Sequence, residues 1–346
     1  MALIEEQIET LKNAASELLP SPVIGIEQVA GGRNSRVYHL RLASSRSFAL
    51  KSYFQHSSEN RKRMETEVAS LEFLWKGGIR NIPKPEGSSS EHGFAIYSWI
   101  EGRKIAASDV DAKSIETASD FLCRLRAMRT EPGCDQLPPA SEACFSGRAI
   151  VENLERRFQR LETCIEHREF ESFLFARLRP AFHRLCDWSQ RRLMDAFEHE
   201  LDGQDRTLSP SDFGFHNALE NESGQISFLD FEYFGWDDPA KTVCDFLLHP
   251  GMTISPNLKR QFATRVVQGM PGATGLGERV QAYYPLFGLK WCVILLNEFL
   301  PDQLLRRIFA SRNEQDGERR KMEQLAKAEA MLDKILGEYE HFSYLS

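Results

Sequence analysis

Residues 2 to 19 place Ile4, Ile8, Leu11, Ala15, Leu18 and Leu19 on one helical face and run up to Pro20, which predicts a leading amphipathic helix. Three β-type runs follow, at 23–29, 36–42 and 47–53. Helical spacing returns over 59–75, with Met64, Val68, Leu71 and Leu74 or Trp75 as the apolar stripe and Gly77-Gly78 as the stop. A proline-bearing loop, Ile82-Pro-Lys-Pro85, then leads into a strand over 93–100. Beyond Gly102 the pattern changes. Long helical stretches appear at 113–129, 148–167 and 169–200, with a Pro-, Gly- and Ser-bearing loop at 131–145. Residues 208–246 are irregular with two short apolar runs, and helices resume to the charged stretch 312–338. The pattern predicts an α+β protein: a small β-rich lobe over 1–102, a hinge near Glu101-Gly102, and a large, mainly helical lobe over 103–346.

Bulk properties narrow the function classes. At 346 residues, two lobes suit the length better than a single core, and 42% hydrophobic with 27% charged residues describes a folded globular chain. The most apolar segment, Trp291-Cys-Val-Ile-Leu-Leu296, is flanked by Lys290 and Asn297-Glu298, so a buried helix is expected there and no membrane span. An acidic, amphipathic start argues against a secretory leader, and seven cysteines without a CxxC pair argue against zinc or a disulfide framework. Both point to a cytoplasmic protein. The first 102 residues carry 12 basic and 12 acidic side chains, so the whole net charge of -7 lies beyond Gly102. That balance is wrong for a nucleic-acid binder. It leaves open a cationic substrate, or simply a solvated acidic surface.

The candidate chemistry lies in a few polar residues. Gly31-Gly-Arg-Asn-Ser-Arg-Val-Tyr38 joins two predicted strands; its glycines can turn backbone N–H groups toward an anion and Ser35 can add a hydroxyl, although an ordinary hairpin has the same composition. Lys51 ends the apolar run Phe48-Ala-Leu50 and can reach a phosphate if a carboxylate holds it. Glu67 is the better-placed partner, since Glu65 is turned about 200° away on the same helix. Asp212 and Asn217 stand five apart in one loop, and Asp230 ends a short apolar run beyond it. A hairpin across that interval brings Asn217 and Asp230 together as oxygen ligands for Mg²⁺ and leaves Asp212 to act on a substrate hydroxyl. Capping roles explain each of these residues singly but not their joint spacing.

This order and spacing resembles the aminoglycoside phosphotransferase and choline kinase superfamily, over roughly residues 25 to 300. The family's catalytic loop, His-Gly-Asp-x-x-x-x-Asn, is matched in frame by Pro210-Ser211-Asp212 to Asn217, and its Asp-Phe-Glu motif by Asp230-Phe231-Glu232. Asp238-Pro239 and Asp245 match further family positions, and Tyr97-Ser-Trp-Ile-Glu-Gly102 matches the hinge. The resemblance implies a two-lobed kinase-like fold and Mg²⁺-dependent transfer from ATP or GTP to a small alcohol. It implies Asp212 as catalytic aspartate, Lys51 and Glu67 as the ion pair on the α/β-phosphates, and Asn217 and Asp230 as metal ligands. Gly31, Gly32, Asn34 and Ser35 would surround the nucleotide, and the backbone of Ser98 and Ile100 would hold the purine. Two departures stand out: Pro210-Ser211 replaces His-Gly, and Asp245 follows Pro239 by six residues instead of three.

Two rivals share the fold. A pseudokinase is favoured only by Pro210-Ser211, and a protein kinase lacks support because no Ala-Pro-Glu tripeptide or activation segment is present. His216 is expected to be a loop histidine bonded to backbone. The stripe Tyr283, Tyr284, Phe287, Leu289 and Trp291 is expected to be core.

Overall fold

The computed structural model describes residues 2–29, 35–53, 62–165, 167–300 and 317–345, with the backbone alone for 2–7. The chain divides into two compact units. The first takes residues 1–104 together with Asn217–Phe234, a segment that returns from far along the chain. Helix α1 (Ala2–Leu18) precedes strands β1 (Val23–Val29), β2 (Ser35–Leu42), β3 (Ser47–Tyr53), β4 (Pro85–Ser89) and β5 (Phe94–Ser98). They form one antiparallel sheet in the order β1-β2-β3-β5-β4. Alternation along β2 turns Tyr38, Leu40 and Leu42 inward, onto a core with Phe48, Leu50, Phe94 and Ile96 that Leu11 and Ala15 of α1 close together with Leu19 just beyond it. Leu18, expected on that stripe, is 41% exposed, because the buried face follows the four-residue spacing 11, 15, 19. Strand β4 was hidden in its composition (Pro-Glu-Gly-Ser-Ser) and exists because β5 offers its edge to be paired.

Helix α2 (Arg63–Lys76) buries Arg63, Met64, Glu67, Ser70, Leu71 and Leu74. Val68 of the expected stripe is only half-buried, and the charged Arg63 and Glu67 occupy the inner face instead. The returning segment forms the hairpin β8 (Ala218–Glu220) and β9 (Ile226–Phe228), joined at one edge by β6 (Arg103–Lys104).

In the second unit, β7 (Thr207–Ser209) pairs antiparallel with β10 (Gly235–Asp237) amid helices α3 (Ala112–Ala127), α4 (Gly147–Glu162), α5 (Arg168–Ser172), α6 (Arg179–Leu193), α7 (Pro239–Leu248), α8 (Pro256–Gly269), α9 (Leu276–Leu295) and α10 (Gly317–Glu338). Helix α9 is the hub and packs against α4, α6, α7 and α10. Tyr283, Tyr284, Phe287 and Leu289 are buried in it as expected of core, and Trp291 is partly buried. Gly288 lets α10 approach, since a Cβ there would sit 2.3 Å from Ile335. The stretch read as one helix over 169–200 breaks into α5, a π-helical turn (Phe173–Leu178) and α6, with Pro180 at the junction; proline has no N–H to continue the α-helical ladder. Helix α7 starts inside the segment read as irregular: Asp238 caps it by accepting from Ala240 N at 2.8 Å, and Pro239 opens its first turn. Among the described residues no helix is long and apolar enough to cross a membrane.

Candidate active site

The first unit gathers its charge around one buried amine. Lys51 on β3 is 8% exposed, and its Nζ lies 2.6 Å from Glu67 Oε2, 2.7 Å from Asp230 Oδ1 and 3.3 Å from Glu232 Oε2. Glu67 also accepts from Tyr53 Oη at 2.7 Å and from the Phe231 backbone N–H at 3.1 Å, so α2 is tied directly to the Asp230-Phe231-Glu232 segment. The Tyr53 and Tyr97 hydroxyls meet at 2.7 Å, and Arg63 Nη1 lies 3.6 Å from Glu232 Oε1. Burial works against the charge on Lys51, but Asp230, Glu67 and Glu232 outweigh it and hold its pKa well above the ordinary value. Asp230 moves the other way. Burial raises its pKa and Lys51 lowers it, while Glu232 and Glu67 add like charge, and the net direction is upward.

Two cations here face three carboxylates whose oxygens lie within 4.8 Å of one another. Asp230 is the outward member, with a side chain 35% exposed and a backbone φ of 65°, a left-handed conformation that asparagine and aspartate tolerate better than most residues. A set of hard oxygens with surplus negative charge fits a divalent cation such as Mg²⁺. The β8–β9 hairpin pairs Ala218 with Phe228 and extends to a hydrogen bond from Leu229 N–H to the Asn217 carbonyl at 2.8 Å, which puts Asn217 opposite the residue next to Asp230. Ser35 is buried at the start of β2; Gly31, Gly32 and Asn34 lie outside the described residues. The Ser98 N–H donates to the Lys84 carbonyl at 2.8 Å. Ile100 lies just past the end of β5.

In the second unit Asp212 sits on the loop after β7 with a side chain 36% exposed. His216 Nε2 is 3.0 Å and His249 Nε2 3.4 Å from the same oxygen, Oδ1. Burial works to raise the Asp212 pKa, but hydrogen bonds from His216 and His249 hold it far below the usual carboxylate range. These three side chains also crowd within ligand distance of one another, yet they do not fit a metal. The Gly251 N–H donates to His249 Nδ1 at 3.1 Å, so the neutral ring carries its proton on Nε2, the atom facing Asp212.

The sequence model of the phosphotransferase enzyme family matches residues 25–275. The chain belongs to that family. It is a small-molecule phosphotransferase with an alcohol group as acceptor. Solved structures share its kinase-like fold at low identity. Spectinomycin phosphotransferase, in complex with ADP and spectinomycin, is 15% identical with a TM-score of 0.67, covering 96% of this chain and 98% of its own. Choline kinase from Cryptosporidium parvum is 9% identical at a TM-score of 0.64, covering 95% and 96%. Choline kinase from Streptococcus pneumoniae is 17% identical at 0.63, covering 95% and 99%. No curated protein matches the sequence at a significant level.

The departure from the phosphotransferase family's His-Gly pair has a structural counterpart. Ser211, in the place of the glycine, adopts φ 68°, the left-handed region glycine enters without strain. Its N–H donates to Ser209 Oγ at 3.0 Å, and its own Oγ accepts from Lys241 Nζ at 3.1 Å. Lys241 is fully buried on α7, 2.8 Å from Asp237 and 3.2 Å from Asp245, while Lys290 of α9 lies 3.8 Å from Asp245. Asp238, the family's Asp-Pro aspartate, is clasped by Arg279 at 3.0 and 3.2 Å. The sequence reading gave Arg63, Glu232, Lys241 and His249 no role in a site. Only Glu232 carried a signal, its place in the Asp-Phe-Glu motif; His216 bonds a carboxylate instead of the backbone expected for it.

Two outcomes follow from these environments. Lys241→Met leaves Asp237 and Asp245 buried with one cation fewer, and is expected to cost about 3–5 kcal/mol in urea denaturation; a loss below about 1 kcal/mol would contradict the assigned network. Burial lowers the His249 pKa, helped by His216 and opposed by Asp212 and Asp245. The unfolded chain therefore binds this proton near pH 6.5 and the folded chain only at lower pH, so stability is full above about 6.5 and is lost as pH falls below it. The urea midpoint of the wild type should drop more steeply below pH 6.5 than that of His249→Gln. Parallel curves would show that this imidazole does not titrate as its burial requires.

Proposed function

We propose that the protein transfers the γ-phosphoryl group of ATP or GTP to a hydroxyl of a small alcohol: an amino alcohol, a sugar, an amino-acid alcohol or an aminoglycoside. The observation that carries this reading is the buried Lys51 ammonium gripped by Glu67, next to the partly exposed carboxylate of Asp230. A permanently charged amine in a fixed place suits the α/β-phosphates of a nucleotide. Asp230 and Asn217 would hold Mg²⁺, which when bound neutralises charge developing on the transferring group. The family match and the ADP found with spectinomycin phosphotransferase support a nucleotide as co-substrate.

Asp212 orients the acceptor hydroxyl. As its oxygen bonds to the γ-phosphorus, the bond from phosphorus to the β–γ bridging oxygen breaks and the nucleoside diphosphate leaves with that electron pair. The hydroxyl proton passes to Asp212 and then to solvent. A carboxylate held so acidic is a weak base, so alignment outweighs proton abstraction in its contribution.

The test is nucleoside triphosphate consumption with Mg²⁺ across a panel of alcohols, beside Asp212→Ala and a chelator control. One acceptor should support turnover that Asp212→Ala lowers by about 10²- to 10⁴-fold and that chelation abolishes. Nucleotide binding without turnover on any acceptor would point to a pseudokinase and sink the proposal; phosphate on a protein substrate would point to a protein kinase.

A further inference from the structure

Asp212 lies on a loop, and a side chain with two free torsions must present its carboxylate in line with a phosphorus atom. Displacement by about 1 Å can cost about 10²-fold in rate. His216 belongs to a short 3-10 turn (Phe215–Asn217), and His249 terminates α7, 33 residues further along. Their rings nevertheless stack face to face, with centroids 3.7 Å apart and planes 8° from parallel.

Several local features exist to seat this pair. Trp291 of α9 meets His249 edge-on at 4.6 Å. Gly251 donates its N–H to His249 Nδ1, and a Cβ on Gly251 would lie 2.9 Å from the ring. A Cβ on Gly214 would lie 2.9 Å from His216 Nδ1 and 2.5 Å from Met252 Sδ. The Phe215 N–H, in turn, donates to Met252 Sδ at 3.2 Å, which ties the loop to the residues after α7. His216 Nδ1 is buried without a hydrogen-bond partner, and Nε2 is the ring nitrogen that meets the carboxylate. Both Nε2–H groups address one oxygen, Oδ1.

We infer that His216 and His249 are positioning residues: a stacked pair of imidazoles whose Nε2 atoms both face Oδ1 and fix the rotation of the Asp212 carboxylate. The hydrogen bond from Lys241 to Ser211 anchors the same loop. The inference rests on the proposed role of Asp212, and its test separates the two. A glutamine side chain can place an N–H near the position of Nε2; alanine cannot.

With the acceptor identified by the panel, His249→Ala and His216→Ala should each lower kcat about tenfold while both KM values stay within about twofold. The glutamine variants should recover most of that loss, and in an Asp212→Ala background the alanine changes should have no further effect. Equal losses in the Asp212→Ala background, or glutamine variants no better than alanine at unchanged thermal stability, would overturn the inference. Long-range ¹H–¹⁵N spectra of histidine-labelled protein need no turnover: both rings should carry a proton on Nε2, and both sets of signals should be perturbed together by Asp212→Ala. An Nδ1–H pattern at His249, or indifference to Asp212→Ala, would refute the pairing even if the enzyme proved active. Absence of turnover on every acceptor would refute the functional reading alone.

Discussion

A lysine ammonium inside a protein is costly unless carboxylates meet it, and the first unit is organised to meet the one on Lys51. Glu67 must lie on the inner face of α2, which is why that face is part charged. The Phe231 N–H bonds the other oxygen of Glu67, so the same side chain also sets where the Asp230-Phe231-Glu232 segment passes. Asp230 then takes a left-handed backbone to reach the amine while staying partly exposed. One buried amine thus couples a strand, a helix and a segment from 179 residues away.

The second unit contains a second buried lysine, and the contrast explains why the two differ in purpose. Lys241 is closed off completely, with Asp237 fully buried and Asp245 nearly so, and Lys290 evens the charge. Two carboxylates there meet two ammonium groups. Around Lys51 a carboxylate is in excess and one oxygen-bearing side chain reaches solvent. Similar residue types make an anchor in one place and a candidate site in the other, and the balance of charge and exposure decides which.

Much of this could be read in the chain. Period-two runs located β1, β2 and β3, and helical geometry selected Glu67 over Glu65 for the inner face of α2. The interval between Asn217 and Asp230, with Asp230 ending a short apolar run, suggested a hairpin. Other features left no local trace. Nothing in Pro85–Ser89 favours a strand except the neighbour it pairs with. Ser211 in the left-handed region contradicts its own preference, and only a lysine 30 residues away accounts for the hydroxyl found there.

By itself the sequence determined the elements whose apolar spacing is periodic, and the set of polar groups on which phosphoryl transfer can be built, since both depend on neighbours within a few residues. Tertiary structure alone decided the partners: His249 beside Asp212, Arg63 beside Glu232, Lys241 under Ser211. Such pairings depend on where distant segments lie when their apolar faces are buried, and the charge or hydrogen bond that results belongs to the meeting of two segments, with no pattern in either one.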